Sequence, residues 1–379
     1  MTYKELNTPD NIIKALAMQN ITEPTEIQSK SYKPITDNRD LIGCSSTGSG
    51  KTLAYTIPLI SKLDLSVRNV QLLVLVPTQE LAVQVSNQFT TLFNNAEIAA
   101  ESLFLIGEGN INRQIEALKS KPVVVVGTPA RIVQLIKMKK LRVHNVKSLV
   151  LDEADKLMDK TYFESVTFIR KSLMKHTQVL LYSASIDKRT LKLANELTVK
   201  PVIYDLTKAN ESLIPNTIKH IFVIADRRER IETLRKIAKA LNKDKTMVFI
   251  NTKYDLDEAL QKLQYHHYNV GAIAGNISKF DKKNNIEAFK AGRLNYILAT
   301  DVAARGLQID NISTVINVNL PEDSKEYLHR AGRCGRNGNE GLCVSIITEN
   351  ELPKIKKYQK DFNINILQKR LYNGKLVAK

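Results

Sequence analysis

Asp40-Leu41-Ile42-Gly43-Cys44 runs straight into Ser45-Ser46-Thr47-Gly48-Ser49-Gly50-Lys51-Thr52, and Leu53-Ala54-Tyr55-Thr56-Ile57 follows. An apolar run, a glycine-rich loop and a helical pattern, in that order, read as one strand-loop-helix unit. In such a loop the glycines let backbone N–H groups converge at a positive helix terminus, where a phosphate can sit. Lys51 adds a mobile cation, and the Thr52 hydroxyl can ligate Mg²⁺. The usual phosphate-loop pattern opens on glycine, a position held here by Ser45. A flexible turn would account for the glycines, but not for a Gly-Lys-Thr ending between a strand and a helix.

Working outward, Ser148-Leu149-Val150-Leu151 is a second apolar strand, and it ends in Asp152-Glu153-Ala154-Asp155. Open α/β sheets bind ligands at the C-terminal ends of their strands, so acids there are placed for use. Asp152 can hold Mg²⁺, and Glu153 can orient or deprotonate the water that attacks a γ-phosphate. An acidic helix start explains Asp155 alone, but not the whole cluster.

The same alternation continues along the chain. Further strands are expected at 71–76, 122–126 and 178–182, then at 219–224, 246–250, 270–273, 295–299, 314–318 and 341–346. Apolar β-branched runs separated by helical patterns indicate parallel sheets covered on both faces. The length of 379 residues fits two domains. The polar stretch from Thr207 to Asn216, with Pro215, reads as the join. The expected division is residues 1–207, a linker at 208–215, and residues 216–379. The Lys-rich end, 351–379, reads as a solvated helix with a frayed tip, because no aromatic interleaving suggests a stacking platform.

Composition narrows the partners. Lys and Arg total 56 against 39 acids, a formal charge of +17, which draws a chain to phosphate polymers or anionic surfaces. No apolar run approaches the roughly 20 residues of a membrane span, and the N-terminus lacks a secretion signal. Cys44, Cys334 and Cys343 are too few and scattered for a disulfide framework or zinc site. A cytoplasmic setting and nucleic acid as partner are expected, with no membrane association.

Together the Asp-Glu-Ala-Asp tetrapeptide, the phosphate loop and the motifs below resemble a DEAD-box ATP-dependent RNA helicase of superfamily 2, over almost the whole chain. The resemblance implies two tandem RecA-like parallel-sheet α/β domains with a cleft between them, ATP and Mg²⁺ as ligands, and RNA-stimulated ATP hydrolysis. Glu23-Pro24-Thr25-Glu26-Ile27-Gln28 is similar to the family's Q motif, so Gln28 would read adenine, and Tyr3 stands where an upstream phenylalanine stacks on the base. The resemblance assigns Ser46, Thr47, Gly48, Ser49, Gly50, Lys51 and Thr52 to nucleotide binding, with Thr52 and Asp152 on the metal. Lys51, Asp152 and Glu153 would be catalytic. Ser183-Ala184-Ser185 resembles the Ser-Ala-Thr motif, so that Ser183, Ser185 and Asp155 would couple nucleotide state to strand separation.

For RNA, the resemblance points to Pro77 and Thr78, to Gly107, to Thr128, Pro129 and Arg131, and in the second half to Asn251, Gly275, Lys279, Lys282 and Thr300. In His329-Arg330-Ala331-Gly332-Arg333-Cys334-Gly335-Arg336, Arg333 and Arg336 would be arginine fingers and His329 a bridge to the first domain. Gly306 would join the nucleotide site. The chain departs from the family at Gln79 and Ala130, which replace an arginine and a glycine, and at Glu108, which interrupts a Gly-Gly pair. Lys279 and Lys282 stand in for a rigid arginine contact, and Gln308 for a ribose-binding aspartate. Weaker ATP and RNA affinity is the expectation. An ATP-gated RNA clamp with slow hydrolysis remains an alternative, and a DNA helicase a third. Low sequence preference, a monomer, and ribosomal or RNA-decay proteins as partners complete the expectations. Ribosome assembly and RNA remodelling or decay are the processes considered.

Overall fold

The computed structural model describes residues 1–46, 48–206, 217–241, 245–274, 277–304, 309, 312–335 and 339–378, apart from the side chains of Lys279 and Lys325. The chain forms two compact units, Met1–Ala209 and Asn210–Lys379. Among the described residues, no helix is long and apolar enough to cross a membrane.

The first unit is built on seven parallel strands: β1 (Leu41–Cys44), β2 (Leu72–Leu75), β3 (Ser102–Leu105), β4 (Val124–Gly127), β5 (Ser148–Asp152), β6 (Gln178–Ser183) and β7 (Val202–Asp205). Their order across the sheet is β3-β4-β2-β5-β6-β1-β7. Successive side chains of a strand point to opposite faces. Val74, Val126, Val150 and Leu180 accordingly join one apolar core, while Leu73, Val125, Leu149 and Leu181 join the other. With both faces covered, the central strands need no polar alternation, which is why they are legible as continuous apolar runs. Each fully buried Val or Leu contributes about 1.5–3 kcal/mol.

The second unit repeats the plan with β8 (Ile218–Ile224), β9 (Thr246–Phe249), β10 (Val270–Ala272), β11 (Tyr296–Ala299), β12 (Thr314–Asn317), β13 (Gly341–Ile347), β14 (Ile366–Tyr372) and β15 (Lys375–Ala378). The order is β10-β11-β9-β12-β13-β8-β14-β15, parallel except for β15, which runs antiparallel to β14. Here Met247, Ile297 and Val315 face one core, and Val248, Leu298 and Ile316 the other.

Four strands lack a counterpart in the sequence reading, and three of them lie at sheet edges. β3 and β7 are half-covered, with Phe104 and Ile203 exposed, so neither shows the buried apolar run of a central strand. The C-terminal expectation is corrected: a helix at Leu352–Phe362 is followed by the β14–β15 hairpin. β14 pairs with β8 through Ile366, Leu367, Gln368 and Lys369. Backbone pairing to an existing sheet edge stabilises this charged segment where its side-chain pattern gives no signal.

Candidate functional site

Strand order places the decisive residues together. β6 lies between β5 and β1, so the loops after all three strands open on the same rim. At about 4.8 Å per strand interval, Cys44 and Asp152 end strands only two intervals apart. The Ser45 N–H donates to the Ser183 carbonyl at 3.2 Å, tying the phosphate loop to β6.

Gly50 has φ +88°, and a Cβ there would lie 2.4 Å from Gln28 Nε2. Left-handed backbone and lack of space both call for glycine. Gly50 also precedes the helix Lys51–Ile60, whose N-terminal N–H groups form an anion site. The Lys51 ammonium donates to the carbonyls of Ser45 and Ser46 at 2.7 Å each. Burial lowers its pKa, against the opposing charge of Asp152. A phosphate would offer this amine charged acceptors in place of neutral ones. Ser49 Oγ lies 2.6 Å from Ser45 Oγ, while Ser46 and Gly48 line the same loop.

Asp152 is 4% exposed. Its Oδ2 accepts from the Tyr55 hydroxyl at 2.8 Å and its Oδ1 from the Glu153 N–H at 2.9 Å. Burial, and then the neighbouring Glu153 charge, push its pKa up to about 6. Thr52 reaches the same Tyr55 hydroxyl. A buried carboxylate with incompletely balanced charge beside a threonine hydroxyl is an all-oxygen donor set, which fits Mg²⁺. Glu153 adopts φ +51° and ψ +50°, left-handed backbone that costs a non-glycine residue about 1–3 kcal/mol and concentrates at functional sites. Its Oε2 accepts from Lys156 Nζ at 2.8 Å. The Ser183 hydroxyl lies 2.8 Å from Asp155 Oδ1 and 2.7 Å from the Ser185 carbonyl, which joins the three residues expected to act together.

Gln28 Oε1 accepts from the Tyr3 hydroxyl at 2.7 Å and the Thr25 N–H at 3.0 Å, and its Nε2 donates to the Gly50 carbonyl at 3.1 Å. Tyr3 lies against this amide. It is 2% exposed, and burial pushes its hydroxyl up to about 12, so its ring face is not open to a base in this structure. Its contact is with Gln28.

The loops expected to meet RNA gather on the other half of the first sheet, after β2, β3 and β4. Pro77 is buried, and Thr78 caps the helix Gln79–Asn95 by accepting from the Leu81 N–H at 3.2 Å. Thr128 and Pro129 open the helix Pro129–Lys137. Arg131 is 7% exposed, and its guanidinium donates to the carbonyls of Gly107 at 2.5 Å and Gly109 at 3.2 Å. It therefore fixes the glycine turn. The Glu108 N–H donates to Gln79 Oε1 at 3.4 Å, so two departures from the family pattern contact each other.

In the second unit Asn251 follows β9, Thr300 follows β11, and Lys282 lies on the helix Lys279–Lys290. Thr300 Oγ1 accepts from the Ala303 N–H at 3.3 Å. His329 lies on the helix Ser324–Ala331, and Arg333 in the turn after it. Thr47, the linker 208–215, Gly275, Gly306, Gln308, Arg336 and the Lys279 side chain lie outside the described residues.

Arg330 is the residue the sequence reading passed over. It is 1% exposed, with Nε and Nη2 donating to the two Asp301 oxygens at 2.5 and 2.6 Å. It also donates to Asn317 Oδ1, the Asn319 carbonyl and Asn251 Oδ1, and its Cζ stands 4.9 Å from the Phe249 ring centroid. One buried guanidinium thus holds the ends of β9, β11 and β12 in register with the basic loop. The available signal was the set of polar residues, Asn251, Asp301, Asn317 and Asn319, at the ends of apolar strands that need a buried donor.

A phosphate loop facing a carboxylate pair two strands away in a parallel sheet defines a phosphate-loop nucleotide-binding protein, here with a second α/β unit of like plan. Residues 25–194 match the DEAD/DEAH box helicase family, and residues 229–338 match the helicase conserved C-terminal domain. The chain belongs to the DEAD-box family of ATP-dependent RNA helicases, which hydrolyse ATP. It is 37% identical over 355 residues to the DEAD-box ATP-dependent RNA helicase CshC of Bacillus cereus, covering 94% of this chain and 90% of that protein. It is 35% identical over 357 residues to the probable ATP-dependent RNA helicase YfmL of Bacillus subtilis, covering 94% and 93%. Among solved structures, Mss116p bound to ssRNA and AMP-PNP matches with TM-score 0.86 at 26% identity, over 97% of this chain and 78% of that one. S. cerevisiae Dbp5 bound to RNA and ADP BeF3 shares the fold with TM-score 0.88 at 24% identity, over 97% and 95%.

Proposed function

We propose that the protein binds ATP on its first unit and single-stranded RNA along both units with low sequence preference, and that RNA-stimulated hydrolysis drives local unwinding of short duplexes. The observation that carries this reading is the convergence of Lys51, Asp152, Glu153 and Ser183 on one rim of β5, β6 and β1. Residues 46–52 cradle the phosphates, with Gln28 bridging the loop to the adenine side. Thr52 and Asp152 would hold Mg²⁺, which when bound neutralises charge on the phosphate oxygens. Lys51 exchanges its two carbonyl contacts for phosphate oxygens. Glu153 leaves Lys156, orients the attacking water and takes its proton as the bond from the γ-phosphorus to the bridging oxygen breaks. Arg333 and Arg336 supply further positive charge, while Gly306 and Gln308 contact the nucleotide. The Ser183–Asp155 bond relays nucleotide state.

RNA contacts are proposed for Pro77, Thr78, Gly107, Thr128, Pro129, Asn251, Gly275, Lys279, Lys282 and Thr300, with Arg131 acting through the turn it holds. Mss116p bound to ssRNA supports the single-stranded assignment. A cytoplasmic monomer in ribosome assembly, RNA remodelling or RNA decay, working with ribosomal or decay proteins, is the setting proposed.

Steady-state ATP hydrolysis with and without a mixed RNA tests the reading. RNA is expected to stimulate the wild type, and Glu153→Gln to reduce turnover about 100-fold or more while ATP-dependent RNA binding persists. Hydrolysis indifferent to RNA refutes the coupling. ATP-dependent RNA binding with negligible wild-type turnover replaces the helicase reading by the clamp.

A further inference from the structure

The β14–β15 hairpin, which the sequence did not announce, builds one wall of a cavity of about 630 Å³ against β8 and the helix Arg230–Leu241. Five cations line it: Arg235, Lys236 and Lys239 from the helix, and Lys369 and Arg370 from β14. One carboxylate, Glu229, accompanies them. Arg235 pairs with Glu232, which it shares with Lys262. Lys236, Lys239 and Lys369, from two separate elements, share one concavity, and like charges so gathered favour a polyanion.

We propose that this cavity is an auxiliary binding site for the phosphodiester backbone of single-stranded RNA, beyond the motif track. It rests on the reading that RNA follows the rim of this sheet, and three observations favour RNA as the occupant. Lys369 pairs in parallel register with Val223, so Lys369 and Arg370 reach the C-terminal rim of the sheet, the rim where β9 and β11 deliver Asn251 and Thr300. β8 lies three intervals from β9, about 14 Å, a gap that a few nucleotides of extended strand can cross. Finally, Arg370 and Tyr372 project together from the face of β14 opposite Lys369, with the guanidinium carbon 5.6 Å from the ring centroid, and Tyr372 is 59% exposed, so a cation and an open ring stand across the strand from the cavity. A strand that leaves the cationic groove over the sheet rim meets an exposed aromatic ring on the far side of β14, the pairing of charge and stacking that sequence-tolerant binding of a single strand uses.

The test compares single-stranded RNAs of about 8 and about 16 nucleotides, binding to the full chain with a non-hydrolysable ATP analogue across a salt series. The longer RNA is expected to bind more tightly. Combined Lys236→Ala, Lys239→Ala and Lys369→Ala should weaken the longer RNA about tenfold and lower its salt slope by about 2, with the shorter RNA unaffected. Tyr372→Ala should weaken the longer RNA about fivefold or more without changing that slope. ATP hydrolysis stimulated by saturating short RNA should be unchanged in each variant. If the short RNA binds but the longer one gains nothing, or the variants match wild type, the auxiliary site is overturned. Failure of the wild type to bind the short RNA overturns the RNA track itself. Displacement by polyglutamate as effective as by RNA, with no effect of Tyr372→Ala, assigns the cavity to an acidic protein and overturns the RNA assignment.

Discussion

Gln28 sits where three segments meet: its oxygen takes the Tyr3 hydroxyl and the Thr25 N–H, and its nitrogen holds the Gly50 carbonyl. The two substitutions at this junction have different consequences. Tyr3→Phe leaves Oε1 with Thr25, so it should cost about 1 kcal/mol of stability and shift the ATP KM less than about threefold. Gln28→Ala leaves the Thr25 N–H and the Gly50 carbonyl without that partner and should raise the KM about tenfold. Steady-state kinetics with thermal melts separates the two; equal effects would show that the tyrosine hydroxyl, and not the amide, governs the junction. Arg330 is a sharper case. Removing one member of a buried, charge-paired network leaves the other uncompensated, so Arg330→Met should destabilise the second unit by about 3–5 kcal/mol. A chemical-denaturation shift under about 1 kcal/mol would mean that Asp301 finds another partner. The Tyr3–Gln28 and Arg330–Asp301 contacts join residues 25 and 29 positions apart, so local sequence does not fix either pairing.

At the scale of elements, β8 carries a titratable residue into the core. His220 lies opposite Cys343 in the β8–β13 register and near the Tyr327 hydroxyl, and burial pulls its pKa down from 6.5 to about 4. The folded state therefore resists protonation. Its stability is fully present above about pH 6.5 and is lost progressively as pH falls towards 4, by roughly 3 kcal/mol at most. Thermal melts from pH 7 to 4 should show that decline flattened in His220→Gln; identical profiles would exclude His220 as its source. Which elements were legible follows from burial. β2, β4, β5, β9 and β11 are buried along their whole length and announce themselves as apolar runs. β3, β7 and the β14–β15 hairpin draw on backbone pairing at sheet edges, which leaves little mark on side-chain composition.

For the whole molecule, each unit has its own pair of cores on the two faces of its sheet, and Gln28, Lys51, Thr52 and Asp152 all belong to the first unit. Calorimetry should resolve two transitions, with Mg-ADP raising only the first unit's, by about 2.7 kcal/mol at a hundredfold excess over its Kd. One concerted transition shifting as a whole would refute independent cores. The sequence by itself determined the alternating α/β plan, the phosphate loop and its carboxylates, and the basic balance that selects a phosphate polymer, because strand burial and loop chemistry are written in contiguous residues. Tertiary structure alone decided that β6 would stand between the loop and the carboxylates, that Arg131 and Arg330 would be spent on holding backbone and side chains, and that a charged tail would close a cationic cavity. Each of these depends on strand order and pairing, which bring together groups far apart in the chain.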